Sequence, residues 1–112
     1  MADLVTLEQA NKRLRLPPGE DDDRRLMLAQ AEARVLRFVR QRLGDTSDTW
    51  AAEVDAWTDE TAPPEVTLAI LLLFGWIYRW RGDDDNAPKV EQGRLPVEVE
   101  ACLWPLRDPA VA

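Results

Sequence analysis

The residues of this chain best suited to chemistry are two runs of carboxylates, Asp21-Asp22-Asp23 and Asp83-Asp84-Asp85-Asn86. Closely spaced hard oxygen donors are what a divalent cation, calcium above all, would need. A calcium loop places its ligands on alternate residues, with a glycine at the turn and a bidentate glutamate at its far end. Neither run keeps that register, so both read as solvated or helix-capping acids, and no metal or other cofactor is expected. Cys102 is the next candidate. The chain has one cysteine and no histidine, so the thiol lacks the commonest activating base, and its setting, Val99-Glu100-Ala101-Cys102-Leu103, is largely apolar. It reads as a small core residue. Nor does a glycine-rich phosphate cradle occur, because the prolines and carboxylates around Gly19 and Gly82 would repel an anion. The chain is not expected to be an enzyme.

The arginine row Arg34, Arg37, Arg40 and Arg42 raises the question of nucleic acid. With a formal net charge of -7, and with Glu32 and an acidic turn diluting the row, it reads instead as a solvated face with intersubunit salt bridges. A lone cysteine excludes an intrachain disulfide, and no charged segment followed by an apolar one opens the sequence, so synthesis and assembly in a reducing cytoplasm are expected. Five tryptophans in 112 residues favour cores and interfaces.

The elements that position these residues are all helical. Thr6 and Gln9 form a capping box, Val5 can staple onto Ala10, and Leu7, Ala10 and Leu14 mark one buried stripe of a first helix that Leu16-Pro17-Pro18-Gly19 ends. The acidic run Glu20 to Asp23 leads a long second helix to about Leu43, with Gly44 as its stop. On that helix Leu26, Ala29, Ala33, Leu36 and Leu43 keep near-heptad spacing, while Leu28, Ala31, Val35, Phe38 and Val39 widen the apolar surface. Two apolar faces imply contact with more than one neighbour. Trp50, Val54 and Trp57 stand at i, i+4 and i+7, the pattern of a short amphipathic helix capped by Asp48.

Pro63 to Arg81 is a helix with almost no polar face, opened by Pro63 and Pro64 and closed by Gly82. Its uncharged part, Val66 to Tyr78, rises roughly 20 Å, short of the ~30 Å hydrocarbon layer, so a membrane span is not expected. A helix apolar all round must be covered on all sides, and a partner subunit is the expected cover. A polar loop then leads to Leu95-Pro96, which starts a last helix to about Leu103 or Trp104. Pro105 stops it, and residues 104–112 are expected to leave as an extended tail. The class is all-α, a single domain over 1–112 with a small bundle of about four helices.

In order and spacing these segments resemble the small head–tail connector (adaptor) proteins of long-tailed bacteriophages. The residues that carry the likeness are Leu4-Val5-Thr6-Leu7-Glu8-Gln9-Ala10, then Ala29-Gln30-Ala31-Glu32-Ala33, and then Pro64-Glu65-Val66 leading to Ala69-Ile70-Leu71-Leu72-Leu73 and Trp76-Ile77-Tyr78. Last comes Leu95-Pro96-Val97-Glu98-Val99-Glu100-Ala101-Cys102-Leu103-Trp104-Pro105-Leu106-Arg107, which is similar to the family's Leu-Pro-x-Gly-Val-x-x-Leu-Leu-x-Pro-x-Arg ending. Glu98 stands where that pattern has glycine, and residues 45–62 have no counterpart in it.

The resemblance implies a virion protein at the head–tail interface, a homo-oligomeric ring of about twelve copies closed by head-to-tail contacts. It would dock on the portal protein, receive a neck stopper or tail protein, and pass DNA through its lumen as cargo. The likeness points to the C-terminal segment for the portal contact, with Trp104, Leu106, Arg107 and Val111 as anchors. For the ring interface, hot-spot chemistry nominates Phe38, Trp50, Trp57, Trp76 and Trp80. Two rivals remain. One is a small acidic helical regulator of helix-turn-helix or DNA-mimic type, although a recognition helix offers base-reading side chains from a first turn that here holds three aspartates. The other is a different neck or tail completion protein, a class richer in strand.

Overall fold

Thr6 opens the first helix as its side chain dictates. In the computed structural model, which describes residues 4–42, 48–80, 89–90 and 94–106, Thr6 Oγ1 accepts from the Gln9 backbone N–H at 3.1 Å. Gln9 Oε1 in turn accepts from the Thr6 N–H at 2.9 Å, completing the capping box. The helix, α1 (Leu7–Leu14), ends before the prolines act. Arg15 takes a left-handed conformation with φ 55°. The Leu16 N–H then reaches Asn11 O at 3.0 Å and the Arg15 N–H reaches Lys12 O at 3.3 Å, the two bonds that close a helix end when its last residue turns left-handed. Pro17, Pro18 and Gly19, whose φ of 119° only glycine adopts freely, turn the chain into the next helix.

Helix α2 (Asp21–Arg42) carries three aspartates in its first turn, where the free N–H groups favour negative charge. Its expected stop at Leu43 and Gly44 lies outside the described residues. Helix α3 (Asp48–Asp55) is shorter than its tryptophan spacing implies. Trp50 and Val54 belong to it, but Trp57 lies beyond its end, because the Trp57 N–H closes on Val54 O at 3.3 Å and a Thr58–Thr61 turn follows. Helix α4 (Pro64–Trp80) begins with proline where no N–H is needed. Helix α5 (Val97–Leu103) starts at Leu95-Pro96 as expected.

The bundle is all-α among the described residues, a small bundle of five α-helices with the short α3 among them. Residues 104–106 do not leave as an extended tail: Trp104–Leu106 continue α5 as a 3-10 turn. The remainder of that expected tail is outside the described residues.

Helix α4 forms the centre of the packing, between α2 on one side and α5 on the other, with α1 lying across α2 and α4 and α3 against α2. From α4, Val66, Ala69, Ile70, Leu73 and Phe74 are fully buried, each of the large ones contributing roughly 1.5–3 kcal/mol. Gly75 faces α1 so closely that an added Cβ would lie 3.3 Å from a Leu14 methyl. The chain's own helices thus cover one face of α4, and the remaining faces are half-buried or exposed. Leu72 remains exposed, and Leu71, Trp76, Ile77 and Trp80 are half-buried. No helix among the described residues is long and apolar enough to cross a membrane.

Candidate interaction surface

The predicted interface residues separate into core and surface. Phe38 on α2 and Trp57 after α3 are 7% and 8% exposed, and both belong to the chain's own core. Each therefore offers little area to a neighbour. Trp50 is half-buried, its indole N–H donating to Val39 O at 3.0 Å and its ring meeting Trp57 edge-on at 5.9 Å.

Trp76 and Trp80, one turn apart on α4, are brought together at a hollow of about 410 Å³ between α4 and α5. Leu14, Leu71, Leu72, Gly75 and Val99 line it, with Arg79 and Glu98 at its edge. The Arg79 guanidinium sits 5.1 Å from the Trp80 ring centre, so the cation shields one aromatic face. A second hollow of about 440 Å³ adjoins it through Trp76 and Glu98. There Glu100 accepts two bonds from the Arg94 guanidinium, at 2.7 and 2.9 Å, and one from the Leu95 N–H at 2.7 Å, which fixes the entry to α5. Past the end of α5, Trp104 is 51% exposed and Leu106 rests partly on the core. Arg107 and Val111 lie outside the described residues.

No group of three or more His, Cys, Asp or Glu among the described residues can hold a metal ion. The Asp21 to Asp23 run is exposed along α2, and Asp83 to Asp85 is outside the described residues. Cys102 is half-buried and its thiol donates to Glu65 O at 3.4 Å. Burial, and then the Glu65 carboxylate, push its pKa above the ordinary thiol value, the opposite of what a nucleophile needs. Burial also lowers the pKa of Arg34, which is half-buried.

Sequence reasoning missed two buried charges. Arg24, 1% exposed, donates to Pro17 O at 2.6 Å and to Asn11 Oδ1 at 3.5 Å. It also reaches the Tyr78 hydroxyl at 3.4 Å and stacks over that ring at 5.5 Å, leaving only its Nε without a partner. Glu32, also buried, accepts from the Leu4 N–H. The signal was available: Arg24 stands four residues before Leu28 on the stripe that continues through Ala31 and Val35, so its register is a core register. No family model matches the chain, and neither a curated protein nor a solved structure does.

Proposed function

We propose that this chain is a structural subunit of a phage head–tail connector, one of about twelve that close head-to-tail into a ring on the portal vertex. The observation that carries the reading is the pair of adjoining hollows along α4 and α5, which present Trp76, Trp80 and Leu72 beside an α5 that leads directly to the exposed Trp104. Aromatic side chains held at a surface by a rigid bundle are the usual anchors of a protein interface. In this reading Trp76 and Trp80 meet the neighbouring subunit, with Trp50 contributing from α3. Trp104, Leu106 and the residues after them meet the portal.

The role is architectural, not catalytic. It places the protein in the virion neck, in contact with a portal protein on one side and a neck stopper or tail protein on the other. A formal charge of -7 per copy suits a conduit, since carboxylates facing the lumen keep DNA from adhering as it passes.

Truncation after Leu103 tests the proposal. The shortened protein is expected to remain folded and helical by circular dichroism yet fail to complete heads in an in vitro head–tail joining assay. Unimpaired joining by the truncated protein sinks the assignment.

A further inference from the structure

Helix α2 carries two apolar stripes, one buried in the fold and the other covered only towards its Leu36 end, where Leu36 packs against the core. The inward stripe runs through Leu28, Ala31, Val35 and Phe38, all buried. The outward one runs through Asp22, Leu26, Ala29, Ala33, Leu36 and Arg40, in alternating steps of four and three residues, the seam spacing of a two-helix coil. Leu26 is 71% exposed, Ala29 is exposed, and Ala33 and Leu36 are half-buried. Both ends of this seam are charged, with Asp22 and Asp23 at one end and Arg37 and Arg40 at the other. Arg37 has no carboxylate partner among the described residues, and Arg40 meets Asp55 only at an exposed 3.4 Å bridge.

In a helix of 22 residues these ends cannot meet within one chain, since at about 1.5 Å per residue Asp22 and Arg37 are more than ~20 Å apart. We infer that a second copy of this chain docks here, with its α2 antiparallel to the first. A two-fold axis between Ala29 and Ala33 lays Leu26 against Leu36 of the second copy and Ala29 against Ala33 of the second copy. The same operation sets Asp22 opposite Arg40 of the second copy. The flanking positions of an antiparallel pair meet as Asp23 with Arg37 of the second copy, so these two acidic and two basic positions pair twice over, while Asp22 also bridges Arg25 of its own helix at 3.6 Å.

Parallel pairing sets aspartate on aspartate and arginine on arginine, which excludes that orientation by repulsion. The alanines at the centre let the two helices approach closely. Beside Leu36 lies a hollow of about 630 Å³, backed by Val54 and Trp57 and rimmed by Arg37 and Arg40, which is the receptacle for Leu26 of the second copy.

This contact is isologous and uses a different face from the α4–α5 hollows, so it stands apart from the head-to-tail collar. Two variants of the full chain test it. One reverses the acidic end, Asp22→Lys with Asp23→Lys, and the other reverses the basic end, Arg37→Glu with Arg40→Glu. All four side chains are exposed, so the fold is retained, as circular dichroism would verify.

By sedimentation velocity the unaltered protein is expected to dimerise, and each variant alone to bind itself about tenfold or more weakly. An equimolar mixture of the two variants is expected to recover the dimer, because each supplies the charges the other lost. The inference is overturned by an unaltered protein that stays monomeric up to about 1 mM, by variants that dimerise as well as it does, or by a mixture that stays monomeric. A monomer that still completes heads removes this contact and leaves the connector reading standing.

Discussion

Helices α4 and α2 invert what their sequences advertise. Helix α4 has almost no polar face and taken alone demands cover on all sides, yet α2, α5 and α1 of its own chain bury only its Val66, Ala69, Ile70, Leu73 and Phe74 face and leave Leu72 exposed. Helix α2 is rich in charge and its two apolar stripes call for more than one neighbour, yet it leaves Leu26 and Ala29 uncovered on a regular seam. The difference teaches that exposure is set by where neighbours lie and not by how apolar a segment is on average. A central helix has neighbours on several sides. Helix α2 has α4, α1 and α3 as neighbours, and the Leu26–Ala29 end of its second apolar stripe still stays exposed.

Four measurements break or sharpen this contrast, beginning with the largest effect. Phe74→Ala removes a fully buried ring from the covered helix and is expected to cost about 3–5 kcal/mol in chemical denaturation. A loss below about 1 kcal/mol would mean that α4 is not the centre of the core. Arg24→Met on the inward side of α2 keeps volume but strips the bonds to Pro17 O and Tyr78. A loss of about 1–3 kcal/mol is expected by the same method, and a stabilised variant would show that burying the guanidinium outweighs its bonds.

On the outward side of α2, Leu26→Gln should change the stability of the monomer by no more than about 0.5 kcal/mol, measured at a concentration too low for association. A larger loss would place Leu26 in the core. The smallest effect is confined to alkaline solution. Because the folded thiol of Cys102 has a pKa above its ordinary value of 9.0, its contribution to stability is complete below that value. The contribution is lost as pH rises through the folded pKa. Cys102→Ser should therefore soften the alkaline fall in melting temperature, and identical profiles would refute the shift.

Local signals made much of the fold legible. The Thr6–Gln9 box, the aspartates leading α2, Pro64 at the start of α4 and Leu95-Pro96 before α5 each act within one turn of chain, so sequence alone is enough to place them. The Thr58–Thr61 turn that strands Trp57 outside α3 depends on side chains bonding one another, and spacing alone counted Trp57 as helical. Which stripe of α2 turns inward was not legible either, since both are apolar and the choice rests on what α4 offers. The same blindness hid Arg24, whose charge argued for the surface while its register argued for the core. Among the proposed interface residues, type could not separate Phe38 and Trp57, which the core takes, from Trp76 and Trp80, which border the α4–α5 hollows.

Arg24 also has a kinetic consequence. It fastens the connector at Pro17 to Tyr78 near the end of α4, positions that share no backbone hydrogen bond and lie far apart in sequence. Releasing either one leaves a buried cation short of acceptors, so neither site gains by coming loose alone. The corner between α1 and α2 and the final turn of α4 should then open as one unit. Amide protons in both places should exchange with deuterium at a common rate, and Arg24→Met should uncouple them.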